Sequence, residues 1–186
     1  MQKKISFPVV MKSIALVTSA ITALLAALYY VYPYGWILSC AISFGTTAYH
    51  FVMRLLVGHT VLWLTHYAFD YRNRWFSPRK WEAVFYRFLR VKYWKYCIPT
   101  YDPSAFSLKQ HTLQQVIRNM CGAEIVHEVI IVLSFVPISF SFLFGEFPVF
   151  LITSILAALY DSIFVIVQRY NRPRLIRILN KQEAHR

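Results

Sequence analysis

The sequence predicts an all-α integral membrane protein in which four transmembrane helices carry a basic, aromatic-rich amphipathic cytoplasmic segment between helices 2 and 3. Three observations lead there. The chain is 58% hydrophobic and only 15% charged over 186 residues, and its mean hydropathy is +0.44. Its apolar residues fall in long blocks instead of alternating with polar ones. Its positive charge, 20 Lys and Arg against 8 Asp and Glu, is kept out of those blocks almost entirely. The length suits one domain, residues 1–186.

The first block, Ser13–Tyr32, holds no charge, and its 20 residues at about 1.5 Å each match a hydrocarbon core of roughly 30 Å. Lys3, Lys4 and Lys12 precede it, as in a secretory leader, but it runs on into "YYVYPYGW" with no small-residue cleavage site. It is expected to be a retained first helix, about 13–32. From Tyr34 to Phe69 the only charged residue besides three histidines is Arg54. That block is too long for one crossing, so a second helix is expected at about 35–56, with an interfacial or tilted continuation. Blocks at about 125–144 and 147–167 supply helices three and four. In hydrocarbon every backbone amide needs an internal partner, which makes all four helical.

The bases set the orientation. Ten Lys and Arg lie between Asp70 and Arg118 and six follow Gln168, whereas the short connections "PYG" and "GEFP" contain none. A cell-membrane, multi-pass protein with both termini and the segment at about 70–120 cytoplasmic satisfies the positive-inside rule. Cys40, Cys97 and Cys121 show neither a paired pattern nor metal-ligand spacing, so free thiols are expected.

In the central segment, "WFSPRKWEAVFYRFLRVKYWKYCIP" interleaves aromatics with bases. Pro78 suits a helix start, and Trp81, Phe85, Phe88 and Lys92 recur at helical spacing, so an amphipathic helix in the headgroup plane is expected. The lipid bilayer is the partner this pattern implies. Such interleaving also suits single-stranded nucleic acid. With four spans explaining the hydrophobicity and no nucleic-acid fold signature present, no nucleic-acid partner is expected. Helical spacing resumes from Leu108, with Ser107 as the expected cap. The basic tail, 168–186, follows the last span.

Glu124 and His127 are three apart at the mouth of the third span, on one helix face, and ionisable groups at such depth are costly. His127 would take a proton from a hydroxyl nucleophile while Glu124 fixes its tautomer. A polar clamp between helices explains the same spacing, and both readings stand on spacing alone. A metal is not expected, because a single Glu-x-x-His lacks the second copy that di-iron bundles carry. No hydrolase elbow or Gly-rich phosphate loop is present. At the other end of the last span "QRYNRPRL" places Arg169, Arg172 and Arg174 around Pro173. Their guanidinium forks suit phosphate or carboxylate, and the proline is expected to end or bend the helix.

"IVQRYNRPRL", Ile166–Leu175, resembles the C-terminal signature of the glycosyl-4,4′-diaponeurosporenoate acyltransferase family, membrane enzymes of staphyloxanthin-type carotenoid biosynthesis. "RVKYWKYCIP" and "AEIVH" resemble two further motifs of that family in order, and "PRKWE" fits more loosely. The chain departs from the family pattern at Asn119, Gly122, Glu128 and Asp161. The resemblance, over roughly Trp75 to Leu175, implies transfer of a fatty acyl group to a sugar hydroxyl of a glycosylated lipid or carotenoid. His127 would be the base and Glu124 its orienter, with Trp94, Lys95, Gln168, Arg169, Asn171 and Arg172 as substrate contacts. No bound cofactor is implied; acyl-CoA or acyl-carrier protein would be the donor, and a glycosylated lipid the acceptor. A reading of another class is a non-catalytic lipid-binding or enzyme-assembly protein that uses the aromatic and basic segment only to hold lipid or a partner enzyme.

Overall fold

The structure, a computed structural model, describes residues 7–66 and 68–185. The N-terminal Lys3 and Lys4 lie outside the described residues. Seven α-helices follow in order among them: α1 Phe7–Val31, α2 Gly35–Thr65, α3 Glu82–Phe88, α4 Val91–Trp94, α5 Leu113–Leu133, α6 Ser141–Phe144 and α7 Phe147–Ala184. No strand occurs among the described residues. Four helical stretches, Phe7–Val31, Gly35–Thr65, Leu113–Phe144 and Phe147–Ala184, are long and apolar enough to cross a membrane.

The helices outrun their apolar blocks. A block ends where polar side chains begin, but a helix ends only where its backbone stops being satisfied. Thus α2 continues through Thr65 and α7 through Pro173 to Ala184. Of the two outcomes expected of Pro173, ending or bending the helix, the first does not occur, although the proline removes the N–H that the Arg169 carbonyl would accept. Arg169 and Arg172 before it are ion-paired, and Leu175, Ile176 and Leu179 beyond it pack in the core, so both sides are held in helical register. The expected cap also moves. Ser107 closes a short turn, and α5 starts in a capping box instead: Thr112 Oγ1 accepts from Gln115 N at 3.2 Å, and Gln115 Oε1 accepts from Thr112 N at 2.9 Å.

The expected amphipathic helix breaks in two. Arg90 takes a left-handed conformation, φ 51°, so Lys92 cannot continue the face of Trp81, Phe85 and Phe88. The break lets Val91 bury completely and brings Trp94 Nε1 within 2.8 Å of the Leu89 carbonyl.

The chain divides into two compact units, Met1–Gly58 with Val129–Tyr160, and His59–Glu128 with Asp161–Arg186. In the first, small residues let helices approach: a Cβ on Gly45 would meet Thr22 Cγ2 at 3.3 Å. Its hydroxyls mostly bond back to their own helix, as Thr18 and Thr22 do to Ile14 and Thr18 at 2.7 Å. Longer-range contacts also occur among the described residues. Tyr49 Oη donates to the Leu133 carbonyl at 2.9 Å, and Arg54 reaches the Ala157 carbonyl at 3.3 Å. Between α6 and α7, Gly145 (φ 71°, ψ −144°) takes a conformation that only glycine adopts readily, and it turns the chain for Glu146 to accept from Ser39 Oγ at 2.6 Å.

The second unit packs the 113–128 part of α5 against the 161–184 part of α7, antiparallel. Its apolar core is Tyr71, Phe76, Ile117, Cys121 and Leu179, with Phe69, Ile125, Leu175 and Ile176 against it. Phe69 lies over Gly122, where a Cβ would come within 2.8 Å of its ring. Cys40, Cys97 and Cys121 are free thiols, as expected.

Candidate functional site

The polar centre of the second unit begins with two buried carboxylates whose ion-pair partners lie on another helix. Glu82 opens α3 and Glu124 lies mid-way along α5, with 3% and 0% of their surface exposed. A buried carboxylate is tolerable only when paired and hydrogen-bonded. The partners come from α7, where Arg169 and Arg172 are three residues apart and so share a face.

Arg169 bridges both acids. Its Nε and Nη2 reach Glu82 Oε1 at 3.0 and 2.6 Å, and its Nη1 reaches Glu124 Oε1 at 2.6 Å. The remaining N–H groups go to the Trp75 and Ser77 carbonyls at 3.2 and 3.3 Å. All five donors of the guanidinium are thereby used. Arg172, 1% exposed, donates Nη1 to Glu124 Oε2 and Nη2 to the Phe76 carbonyl at 2.8 Å, and its guanidinium lies over the Phe76 ring. Two acids and two bases balance their charge out of water, and they hold three successive carbonyls, Trp75 to Ser77, against α7. The Tyr86 hydroxyl sits beside this lock. Burial raises its pKa above the usual tyrosine range, the Glu82 carboxylate raises it further, and Arg169 opposes them.

One turn from Glu124, His127 belongs to a different pair. Its Nδ1 lies 2.8 Å from Asp161 Oδ1, and its ring stacks on Phe164 with centroids 4.5 Å apart and planes 6° from parallel. The Asp161 side chain is 1% exposed and the imidazole 22%. A carboxylate oxygen at Nδ1 selects the tautomer with the proton on Nδ1, which leaves Nε2 with its lone pair.

The contacts differ from the sequence-based expectation at two points. The carboxylate that meets His127 is Asp161 and not Glu124, whose oxygens both serve arginines. Spacing on one helix suggested Glu124; the contacting carboxylate is contributed by α7 and becomes visible only once the two helices pair. Arg169 and Arg172, expected as substrate contacts, are instead spent on internal carboxylates. Glu82 was the residue sequence reasoning undervalued, though its place in "PRKWE" was the available signal.

The other expected contacts divide. Lys95 Nζ donates to Asn171 Oδ1 at 2.6 Å, and the ammonium lies 4.8 and 5.1 Å from the Tyr96 and Tyr170 ring centroids. This pair remains half open to solvent. The Trp94 indole N–H is used on the backbone, and Gln168 is half-buried on α7. Glu128 Oε2 accepts from Trp75 Nε1 at 2.9 Å. Among the described residues no three His, Cys, Asp or Glu side chains come together as a metal site.

No curated protein and no solved structure matches the chain. A family model does, that of glycosyl-4,4′-diaponeurosporenoate acyltransferase, over residues 72–181. The match covers more than half of the sequence and takes in both carboxylates of the lock, both arginines, the His127–Asp161 pair and the Lys95–Asn171 pair. The chain therefore belongs to the glycosyl-4,4′-diaponeurosporenoate acyltransferase family.

Proposed function

We propose that this protein is a membrane acyltransferase that moves a fatty acyl group from a thioester donor to a sugar hydroxyl of a glycosylated lipid or carotenoid, at the cytoplasmic face. The observation that carries the reading is the 2.8 Å contact between His127 Nδ1 and the buried Asp161 carboxylate. A partly open imidazole with a carboxylate behind it is the arrangement general-base chemistry requires. In the proposed reaction His127 Nε2 takes the proton of the acceptor hydroxyl as its oxygen attacks the acyl carbonyl carbon. The ester C–O bond forms, the C–S bond breaks, and the imidazolium returns the proton to the departing thiolate. Asp161 keeps the proton on Nδ1 and stabilises the imidazolium.

Glu124, Arg169 and Arg172 are positioning residues in this reading, not substrate contacts. Lys95 and Asn171 hold a polar part of a substrate remote from the base. Asn171 is ten residues from Asp161 along α7, about 15 Å at 1.5 Å per residue. That is too far for an oxyanion donor, which must approach to about 3 Å. The apolar outer faces of the four long helices suit acyl and polyprenyl chains, and the concentration of bases in the central segment and tail argues for a cytoplasmic site.

The test is turnover by purified, folded protein given acyl-CoA or acyl-carrier protein and a glycosylated lipid. Substituting His127→Ala is expected to lower kcat by roughly 10²- to 10⁴-fold, and Asp161→Asn to lower it while shifting the pH profile. Unchanged turnover in His127→Ala would remove the base. No acyl product from the wild type with any donor would favour the non-catalytic, lipid-binding reading.

A further inference from the structure

The second unit contains two pairs of arginines in opposite circumstances. Arg172 is buried, Arg169 is partly so with 11% of its side chain exposed, and both are paired. Arg74 and Arg79 are exposed, and neither makes an ion pair among the described residues. They line a half-open cavity of about 610 Å³ together with Asn73, Trp75, Ser77 and Pro78. None of these lining residues is a carboxylate, so the two arginines meet no counter-ion in the wall.

The wall is held rigid from behind. The carbonyls of Trp75, Phe76 and Ser77 are all taken by Arg169 and Arg172. Asn73 Oδ1 accepts from Trp75 N at 2.9 Å and closes the turn from the front. Trp75 is 54% exposed, yet its indole N–H is tethered to Glu128, so a large aromatic face is presented in a set orientation. Fixing the backbone of the wall and a stacking surface before the ligand arrives lowers the ordering entropy of binding.

We infer that the Asn73–Arg79 cavity is a receptor for a phosphate-bearing ligand, with Arg74 and Arg79 as the anion contacts and the Trp75 indole as a stacking surface. Guanidinium forks match phosphate oxygens in pairs, and an indole stacks on a heteroaromatic base. The volume falls in the range of small-molecule sites and exceeds what a lone phosphate fills. Resting on the acyl-transfer reading, the ligand is the nucleotide end of an acyl-CoA. Glu128, which tethers the indole, adjoins His127 in sequence but points to another side of α5, leaving the flexible pantetheine arm to carry the thioester round to the imidazole. An anionic phospholipid headgroup offers the same phosphate chemistry without the base.

The experiment is calorimetric titration of the full-length protein in neutral detergent, with CoA in one arm and short-chain phosphatidylglycerol in the other. Arg74→Gln/Arg79→Gln is expected to weaken the bound ligand at least about tenfold, the loss of one or two charge-assisted contacts. Arg87→Gln/Lys92→Gln, which removes the same charge from exposed positions off the cavity, is expected to leave affinity within about twofold. Loss in the CoA arm assigns the cavity to the donor nucleotide, and loss in the phosphatidylglycerol arm alone assigns it to a headgroup; either keeps it as a phosphate site. Equal loss in both double variants, or none in the first, overturns the inference. His127→Ala separates this from the catalytic reading. CoA binding that depends on Arg74 and Arg79 but accompanies no acyl transfer leaves the cavity standing and removes the enzyme; His127-dependent transfer with CoA binding indifferent to Arg74 and Arg79 does the reverse.

Discussion

The two compact units solve the polar-group problem in different ways. In Met1–Gly58 with Val129–Tyr160 the hydroxyls mostly bond to carbonyls a turn earlier on their own helix, and little charge is buried. In His59–Glu128 with Asp161–Arg186, Glu82 on α3 and Glu124 on α5 are paired with bases on α7, across 45 to 87 residues of sequence. Local satisfaction makes each apolar helix self-sufficient, as hydrocarbon demands. Distant satisfaction makes the second unit depend on correct assembly, and that dependence is where chemistry-bearing groups gather. The family match over 72–181 lies mainly on this second kind of structure.

Perturbing the charge lock tests that contrast most severely. Glu124→Gln leaves Arg172 buried without a counter-charge and removes one acid from Arg169. A loss of about 3 kcal/mol is expected, read as thermal unfolding in detergent. A loss below about 1 kcal/mol would mean that the lock is not what holds the unit. Next in size is Gly122→Ala, whose methyl would stand 2.8 Å from the Phe69 ring. The core must shift or strain at a cost of about 2 kcal/mol, and trimming Phe69 to leucine in the same chain is expected to recover part of it.

A smaller effect carries a pH signature. Because burial raises the Tyr86 pKa, the folded state keeps its phenolic proton where the unfolded chain loses it. The resulting stability is present below the ordinary tyrosine value of about 10 and is lost as pH rises through the folded value. Tyr86→Phe is expected to cost about 1 kcal/mol at neutral pH and to make the alkaline decline shallower, as measured by unfolding midpoints at a series of pH values. The smallest effect belongs to the first unit. Ser39→Ala removes the exposed 2.6 Å bond to Glu146 and is expected to change stability by less than about 1 kcal/mol. A larger loss there would blur the distinction between the units.

Sequence alone determined the class of fold, the order of the four long helices and the family, because apolar block length, charge segregation and short motifs are properties of neighbouring residues. It also marked His127, Glu124, Arg169 and Arg172 as residues out of place in an apolar chain. What each of them touches was decided only by tertiary structure. Helical spacing linked Glu124 to His127, yet once α5 and α7 run antiparallel, Asp161 meets the imidazole and the arginines claim the glutamate. The left-handed break at Arg90 and the passage of α7 through Pro173 are of the same kind, since local preference was overridden by burial of Val91 and by the ion pairs before the proline and the core packing after it. The physical reason is common to all of them. Periodicity reports which side of a helix a residue occupies, whereas the partner of a buried charge is set by whichever opposite charge the packing delivers to that side.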